Sequence, residues 1–177
     1  GMEMPRTPAD QMRMLATLMN AIAVQQTLKS RGVPARVMSA LECPRVAETY
    51  NWTSAIEYLD QGDIVLFAGG TGNPYFTTDT AAALRASEIE ADVFLKATKV
   101  DGIYDKDPLT HPEAKKYETI SYSQVLAEKL QVMDATAIAL CRSNQIPIFV
   151  FNMRRLVEEP LDDILTQVHK GTWVSGQ

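Results

Sequence analysis

Three short segments of the chain are almost entirely apolar, at residues 64–68, 93–98 and 148–151. They are rich in β-branched and aromatic residues and do not alternate between polar and apolar positions, which is typical of strands covered on both faces. Segments with helical periodicity separate them, and strands that alternate with helices form right-handed βαβ units. We therefore predict an α/β fold, a mainly parallel sheet sandwiched by helices, as a single domain over residues 1–177.

Composition and charge exclude several classes of protein. Hydrophobic residues make up 46% of the 177 residues and charged residues 22%, which excludes a disordered or fibrous chain. The net charge of −5 argues against nucleic acid or an anionic membrane as a partner, but it is compatible with a local basic pocket for a phosphorylated small molecule. Cys43 and Cys141 lack metal-ligand spacing, and no signal peptide or apolar run of about eighteen residues occurs. We predict a cytoplasmic protein without a metal site of its own.

Local signals predict where the first elements begin and end. Thr7 is placed to cap a helix that has Pro8 in its first turn and ends at Gly32. A strand is expected at residues 35–40, a short helix at 54–59 and an alanine-rich helix at about 79–91.

Residues 69–78, which we call the glycine-rich loop, follow the first apolar strand directly and contain three glycines within four residues. Glycines let backbone N–H groups approach an anion closely, and the helix that follows adds a favourable dipole. Threonine and asparagine side chains supply hydrogen bonds, and Tyr75 and Phe76 are suited to line a base or sugar. The pattern is not a Walker P-loop. It predicts a phosphate-containing ligand, and the alternative is a strand-to-helix turn with no ligand.

A second polar loop follows the strand at residues 93–98. It holds Lys96, Lys99, Asp101, Asp105 and Asp107 within twelve residues. Lysines neutralise phosphate charge, and carboxylates hold Mg²⁺ directly or through its waters. The alternative is a solvated charged loop without a ligand.

Three further aspartates allow two interpretations each. Asp10, Asp79 and Asp134 all stand at or near the predicted start of a helix. A carboxylate there caps the helix or interacts with its dipole, and it can equally serve an active site at the end of a sheet.

Four segments taken together resemble the bacterial uridylate (UMP) kinases of the amino acid kinase superfamily. They are Ala-Asp-Gln-Met-Arg-Met-Leu-Ala-Thr at residues 9–17, Gly-Thr-Gly-Asn-Pro-Tyr-Phe-Thr-Thr-Asp at 70–79, Leu-Lys-Ala-Thr-Lys-Val-Asp-Gly-Ile-Tyr at 95–104 and Leu-Gln-Val-Met-Asp at 130–134. The similarity runs along the whole chain, and the segment at 70–79 is the most specific part of it.

The resemblance implies roles for particular residues. The UMP-binding residues would be Asp10, Thr71, Gly72, Asn73, Pro74, Tyr75, Phe76, Thr77 and Thr78. The ATP-binding residues would be Thr98, Tyr104 and Asp107. Asp134 would stand at the reaction centre, with Asp79 as a second catalytic carboxylate.

The resemblance also implies an activity and partners. The family transfers the γ-phosphoryl group of Mg²⁺-ATP to UMP, works as a homohexamer and is commonly regulated by GTP and UTP. Arg36 and Trp52 resemble positions that some members use for GTP, but Asp63 stands where those members often carry a basic residue.

The sequence departs from the family pattern at two places. Neither Lys-x-Ser-Gly nor a Gly-Gly-Gly-Asn loop followed by arginine occurs, and Arg13 replaces a glycine that is usual in Met-Gly-Met. We expect an N-terminally shortened chain that exposes a sheet edge or covers it by oligomerising. A non-catalytic nucleotide-binding or assembly module is the alternative function. A third is an amino acid kinase acting on carbamate or an acyl carboxylate, which the aromatic acceptor loop disfavours.

Overall fold

The computed structural model describes residues 4–130 and 132–176, and the chain divides into two compact units. The N-terminal unit is Gly1–Ile89, and the C-terminal unit is Glu90–Gln177. Within the described ranges, no helix is both long enough and apolar enough to cross a membrane. The expectation that residues 1–177 form a single domain stays a prediction.

The N-terminal unit is built on a three-stranded parallel sheet of order β2-β1-β3. Its elements in chain order are α1 (Arg6–Ser30), β1 (Ala35–Ser39), β2 (Glu48–Thr49), α2 (Trp52–Asp60), β3 (Ile64–Ala68) and α3 (Thr78–Glu88). Ala35 lies opposite Ile64, and Ser39 lies opposite Ala68. Because the strands are parallel, their carboxyl ends lie at one edge of the sheet, where ligands of α/β proteins bind.

The C-terminal unit contains a mixed sheet of order β4-β8-β9-β7. Its elements are β4 (Phe94–Thr98), β5 (Ile103–Tyr104), β6 (Lys116–Tyr117), β7 (Thr119–Ile120), α4 (Tyr122–Ala127), α5 (Ala135–Ser143), β8 (Ile148–Asn152), α6 (Arg155–Glu158), α7 (Leu161–Thr166), a 3-10 helix (Val168–Lys170) and β9 (Gly171–Val174). Strands β4 and β8 are parallel, β8 and β9 are antiparallel, and β7 is parallel to β9. Strands β5 and β6 form a separate antiparallel pair.

Each unit has its own apolar cluster. In the N-terminal unit, Leu18 of α1 packs with Val37, Ala47 and Ala68. In the C-terminal unit, the main cluster of β8 and α7 residues consists of Phe149, Phe151 and Ile164. The ring of Trp173 on β9 lies 4.7 Å from that of Phe149.

The predicted fold class is confirmed. Parallel pairings join β1 to β2 and β3, β4 to β8, and β7 to β9, while helices separate the main strands in sequence. Residues 64–68 form β3 with the predicted bounds. The burial predicted for β3 and β4 is wrong: in β3 Ile64 is 41% exposed and only Ala68 is buried, and in β4, which lies at the end of its sheet order, only Phe94 is buried. Strand β3 lies at the end of its described sheet order, whereas β8 lies inside its sheet and is buried as predicted.

The predicted helix ends are partly correct. Helix α1 begins at Arg6 after Pro5, without a side-chain cap, so the prediction that Thr7 is the N-cap is wrong. Gly32 ends this helix as expected: its φ is +76°, and the N–H of Val33 reaches back to the carbonyl of Leu28. Helix α3 ends at Glu88, three residues earlier than predicted, and Glu90 has a left-handed φ of +52°.

Candidate functional site

The glycine-rich loop leads from the carboxyl end of β3 into α3. The Thr77 side chain is the N-cap of α3 and accepts a hydrogen bond from the N–H of Thr80. Gly69 and Gly72 have φ values of +79° and +80°. A Cβ on Gly69 would lie 3.0 Å from the backbone nitrogen of Leu41, and one on Gly72 would lie 3.0 Å from the carbonyl oxygen of Ala40. These positions therefore need glycine both for their conformation and for their close approach to the segment after β1.

Asp10 fixes the middle of this loop. Its side chain lies on α1 and is buried, with the residue 8% exposed. Its Oδ2 accepts the backbone N–H of Tyr75 at 2.9 Å, and its Oδ1 accepts from Arg13 at 2.9 Å. The Tyr75 N–H, assisted by Arg6 and Arg13, holds the pKa of the Asp10 carboxyl below its ordinary value. The structure therefore brings Asp10 together with the loop, as the predicted acceptor site requires.

Tyr75 has the left-handed φ of +74°, an uncommon value for a residue with a side chain. The Arg6 guanidinium lies 4.9 Å from its ring centroid and donates to its carbonyl oxygen. Tyr75 is 59% exposed as a residue, and the neighbouring Phe76 is 54% exposed. These aromatic faces are accessible to a planar ligand group.

The polar groups at the start of the loop are organised by short local bonds. The Thr71 hydroxyl accepts the N–H of Asn73, and the Asn73 amide donates to the carbonyl of Thr71. A second tie comes from α1, where the Thr17 hydroxyl accepts the N–H of Gly69 at 2.9 Å. Sequence reasoning missed Thr17. The signal that could have identified Thr17 is its position one turn after Met14 on α1. The Thr17 hydroxyl donates to the Met14 carbonyl oxygen as well.

The three predicted ATP-binding residues line one cavity of about 820 Å³ in the C-terminal unit, which we call the larger cavity. Its lining residues are Thr98, Lys99, Val100, Gly102, Ile103, Tyr104, Asp105, Lys106, Asp107, Pro108, Glu128, Lys129, Leu130, Val132 and Val150. Lys96, from the same predicted group, does not belong to this set of described lining residues. The volume lies within the range of small-molecule sites.

Tyr104 belongs to a small polar network at this cavity. Its hydroxyl donates to Asp101 at 2.6 Å, and Lys116 donates to the other oxygen of Asp101 at 3.1 Å. Burial and the neighbouring Asp101 raise the pKa of Tyr104 to about 12. Burial also acts to raise the pKa of Asp101, but the bonds from Tyr104 and Lys116 leave that pKa below its ordinary value. The network fixes the ring of Tyr104 in its neutral form.

The rest of the cavity wall combines exposed cations with carboxylates held by backbone groups. Asp107 Oδ1 accepts the N–H of Leu109, and Asp105 Oδ1 accepts the N–H of Lys115. The lysines that line the cavity are Lys99, Lys106 and Lys129. Such a mixture is suited to a polyphosphate that arrives with its counterion.

The two predicted catalytic carboxylates stand at helix starts. Asp79 lies in the first turn of α3, near the positive end of the helix dipole. Asp134 is the N-cap of α5, and its Oδ1 accepts the N–H of Ala137 at 2.9 Å. The two belong to different units, and their catalytic roles stay predictions.

A smaller cavity of about 640 Å³ lies elsewhere in the C-terminal unit. It is lined by Tyr122, Ser123, Arg142, Gln145, Ser175 and Gly176. Arg142 is its one cationic lining residue among those described, and the Tyr122 hydroxyl is already bonded to the Ile146 carbonyl. The larger cavity therefore fits a polyphosphate better.

No group of three or more His, Cys, Asp or Glu side chains comes together as a metal cage within residues 4–130 and 132–176. Mg²⁺ in phosphoryl-transfer sites commonly takes most of its ligands from phosphates and water and only one or two from carboxylates. Asp105 and Asp107 at the larger cavity are carboxylates of that kind.

Residues 2–152 match the model of the amino acid kinase family. The chain is 69% identical over 171 residues to a uridylate kinase of Protochlamydia amoebophila, covering 97% of this chain and 68% of that protein. It is 59% identical to a uridylate kinase of Magnetococcus marinus, covering 85% of this chain and 62% of that protein. The chain therefore spans about two thirds of the length of these relatives.

Solved structures of UMP kinases are similar to this chain as well. The UMP kinase from Ureaplasma parvum superposes with a TM-score of 0.89 at 39% identity, over 98% of this chain and 73% of that one. The UMP kinase from Bacillus anthracis superposes with a TM-score of 0.90 at 35% identity, over 97% of this chain and 70% of that one.

Proposed function

The chain belongs to the amino acid kinase family, among its uridylate kinases, and on that premise we propose that it serves the transfer of the ATP γ-phosphoryl group to UMP. The products are UDP and ADP, so the step belongs to the synthesis of pyrimidine nucleotides. The observation that carries the proposal is the bond from Tyr75 N–H to Asp10, which joins the two separate acceptor segments of the sequence.

The acceptor site of the proposal is the glycine-rich loop with Asp10. Thr71, Asn73 and the first turn of α3 supply hydrogen-bond groups to UMP, and Tyr75 and Phe76 supply apolar surface. Asp10 has one oxygen engaged by Tyr75 and the other by Arg13, so we propose that it contributes to UMP binding through the loop that it holds.

The donor site of the proposal is the larger cavity. Thr98, Tyr104 and Asp107 contact ATP there, and the lysines on the cavity wall balance the charge of its phosphates. Asp105 and Asp107 would hold the Mg²⁺ of Mg²⁺-ATP, and the ion would withdraw charge from the phosphate oxygens. The described residues fit a metal ion that takes most of its ligands from phosphates and water, because they supply isolated carboxylates and no group of three or more metal-ligating side chains.

The chemistry of the proposal is an in-line displacement. A phosphate oxygen of UMP forms the new bond to the γ-phosphorus while the bond from that phosphorus to the ADP oxygen breaks, with no covalent intermediate on the protein. Asp134 and Asp79 are the proposed catalytic carboxylates. Their part is to organise the groups around the transferred phosphoryl.

A second candidate applies to residues 1–177 taken alone. Neither Lys-x-Ser-Gly nor Gly-Gly-Gly-Asn occurs among them, and such segments supply charge stabilisation in the family. That absence favours a nucleotide-binding module that keeps the UMP half-site without turnover.

We also propose a homo-oligomer, a hexamer as in the family, in a cytoplasmic location. Helix α1 supports the proposal of a homo-oligomer, because it exposes Met12, Leu15 and Met19 at helical spacing on one face. The free thiols of Cys43 and Cys141 are compatible with a reducing compartment.

GTP and UTP are proposed as effectors on the family's pattern. Arg36 is already engaged, since it pairs with Asp63 at 2.8 Å and lies 4.4 Å from the ring centroid of Tyr58. A GTP phosphate at Arg36 would share the guanidinium with the Asp63 carboxylate, which accepts from its Nε.

The test of the proposal combines two measurements on the same chain. Calorimetric titration should show UMP binding, and a coupled assay with Mg²⁺-ATP should show UDP formation. Binding with turnover supports the kinase, binding without turnover supports the module, and no UMP binding contradicts both. Titration with carbamate and with N-acetylglutamate separates the acyl and carbamate kinases.

A further inference from the structure

A buried arginine lies behind the glycine-rich loop. Arg85 stands in the last turn of α3 and is only 7% exposed, although the rest of the buried face of this helix is made of alanines and Thr80. Charged side chains are seldom buried without partners. Arg85 has three: Glu88, Tyr50 and the loop itself.

The first two partners hold the guanidinium in place. Arg85 Nη1 donates to Glu88 Oε2 at 2.6 Å, and its Cζ lies 3.7 Å from the ring centroid of Tyr50. The Tyr50 hydroxyl donates to the same Glu88 oxygen at 2.5 Å. Burial and the bond to Glu88 raise the pKa of Tyr50 to about 12.

The third partner is the loop. Arg85 Nη2 donates to the carbonyl oxygen of Gly70 at 3.3 Å. Gly70 has the left-handed φ of +60°, and the peptide bonds of the described chain are all trans. In a trans peptide the carbonyl and the following N–H point in opposite directions. A bond that draws the Gly70 carbonyl towards Arg85 therefore turns the N–H of Thr71 away from it.

The N–H groups of Gly70 and Thr71 have no hydrogen-bond acceptor among residues 4–130 and 132–176, whereas those of Gly69 and Gly72 on either side of them are bonded. The Thr71 N–H lies between two left-handed glycines, and a backbone N–H without a protein acceptor in such a place is a donor ready for an anion or a carbonyl oxygen.

We propose that Arg85 is a positioning residue for the acceptor nucleotide: it sets the Gly70–Thr71 peptide so that the Thr71 N–H donates to UMP. The inference rests on the proposed function, because it takes UMP as the ligand of the loop. Arg85 does not touch the nucleotide. Glu88 and the aromatic ring of Tyr50, rather than its hydroxyl, act one step further back, by keeping the guanidinium aimed at Gly70.

The test compares three variants of the same chain. Arg85→Met removes the bond to Gly70, Arg85→Lys keeps a cation, and Tyr50→Phe is the matched control, since it removes one bond to Glu88 but leaves the ring and the Arg85–Gly70 contact. UMP and ATP affinities are measured by calorimetry, folding by thermal unfolding, and the Thr71 amide by NMR during UMP titration.

We expect Arg85→Met to weaken UMP binding about tenfold, the worth of a well-placed hydrogen bond. ATP binding should stay unchanged, Arg85→Lys should recover part of the loss, and Tyr50→Phe should lower the unfolding midpoint while keeping its affinity for UMP. The Thr71 amide signal should move with UMP in the wild-type chain.

Three results overturn the inference. One is equal loss of UMP binding in Arg85→Met and Tyr50→Phe, another is full affinity in Arg85→Met, and the last is a Thr71 amide that does not respond while UMP binds. The last measurement needs no variant and holds even if the Arg85 variants fail to fold. If the wild-type chain does not bind UMP, that result contradicts both the proposed function and the inference about Arg85.

Discussion

The carboxylate of Asp10 and the backbone N–H of Tyr75 are joined by a 2.9 Å hydrogen bond between residues 65 positions apart. Asp10 lies in the second turn of α1, and Tyr75 lies in the loop between β3 and α3. The bond holds Tyr75 at a positive φ, which a side-chain-bearing residue adopts only when its surroundings fix it. The shape of the proposed acceptor site thus depends on a contact between distant parts of the sequence.

Asp10→Ala should therefore weaken UMP binding even if Asp10 never touches the nucleotide. It removes the acceptor for the Tyr75 N–H, and we expect a loss of about tenfold in UMP affinity. Asp10→Asn keeps one carbonyl oxygen for Tyr75 and should lose less. Calorimetry with UMP measures both, and an unchanged affinity in Asp10→Ala would contradict this role.

Thr71→Ala should weaken UMP binding more than ATP binding. It removes the hydroxyl that orders Asn73, and a loss of about tenfold is expected for UMP. Thr27→Ala is the matched control, because the Thr27 hydroxyl bonds only within α1, to the Ala23 carbonyl, among its described contacts. Equal losses for UMP and ATP would refute the assignment of the loop.

Gly72→Ala should damage both stability and UMP binding, and Gly32→Ala gives its control. Both positions have left-handed φ values, but a Cβ on Gly32 meets nothing within 4 Å, whereas one on Gly72 meets the Ala40 carbonyl at 3.0 Å. We expect Gly32→Ala to cost about 1 kcal/mol and Gly72→Ala about 2–3 kcal/mol in the free energy of unfolding. Denaturant titration decides this, and equal costs would show that the close approach is unimportant.

Tyr104→Ala should weaken ATP binding about tenfold and leave UMP binding unchanged, because the ring lines the larger cavity. Tyr104→Phe keeps the ring and should retain most of the affinity. Tyr117→Ala is the control: Tyr117 stands on the neighbouring strand β6, outside the described lining of the cavity. Loss of UMP affinity in Tyr104→Ala, measured by calorimetry, would place the residue in the wrong site.

Acid should destabilise the chain through Asp10 and Asp101, whose pKa values are both lowered from 3.8. A carboxyl with a lowered folded-state pKa contributes stability above its unfolded-state pKa and loses it as the pH falls through the folded-state value. The free energy of unfolding should thus fall with pH below about 4. Asp10→Asn and Asp101→Asn should each flatten that slope in denaturant titrations, and an unchanged slope in both variants would contradict this account.

The fold could be predicted from the sequence wherever the signal was local. The apolar run at residues 64–68 gave the bounds of β3, and Gly32 marked the end of α1. The exposure of β3 could not be predicted, because it depends on which strands lie beside it rather than on its own residues. Helix α1 begins two residues before the predicted start, since it follows Pro5 without any side-chain cap.

The candidate site was predictable to a similar degree. Its glycines and polar residues form a contiguous motif, and the sequence alone identified the glycine-rich loop. The hydrogen bonds that shape the loop come from helices outside the motif: the Thr17 hydroxyl accepts the N–H of Gly69, and Arg85 donates to the carbonyl of Gly70. An arginine in an alanine-rich helix looks like an ordinary surface residue until its burial is known.

The central claim is that the glycine-rich loop and Asp10 hold UMP, and the most direct measurement is a crystal structure of this chain grown with that nucleotide. The account predicts UMP against residues 71–78, with the Thr71 N–H donating to it and Asp10 still bonded to Tyr75. UMP bound at another place, with this loop empty, would contradict the account.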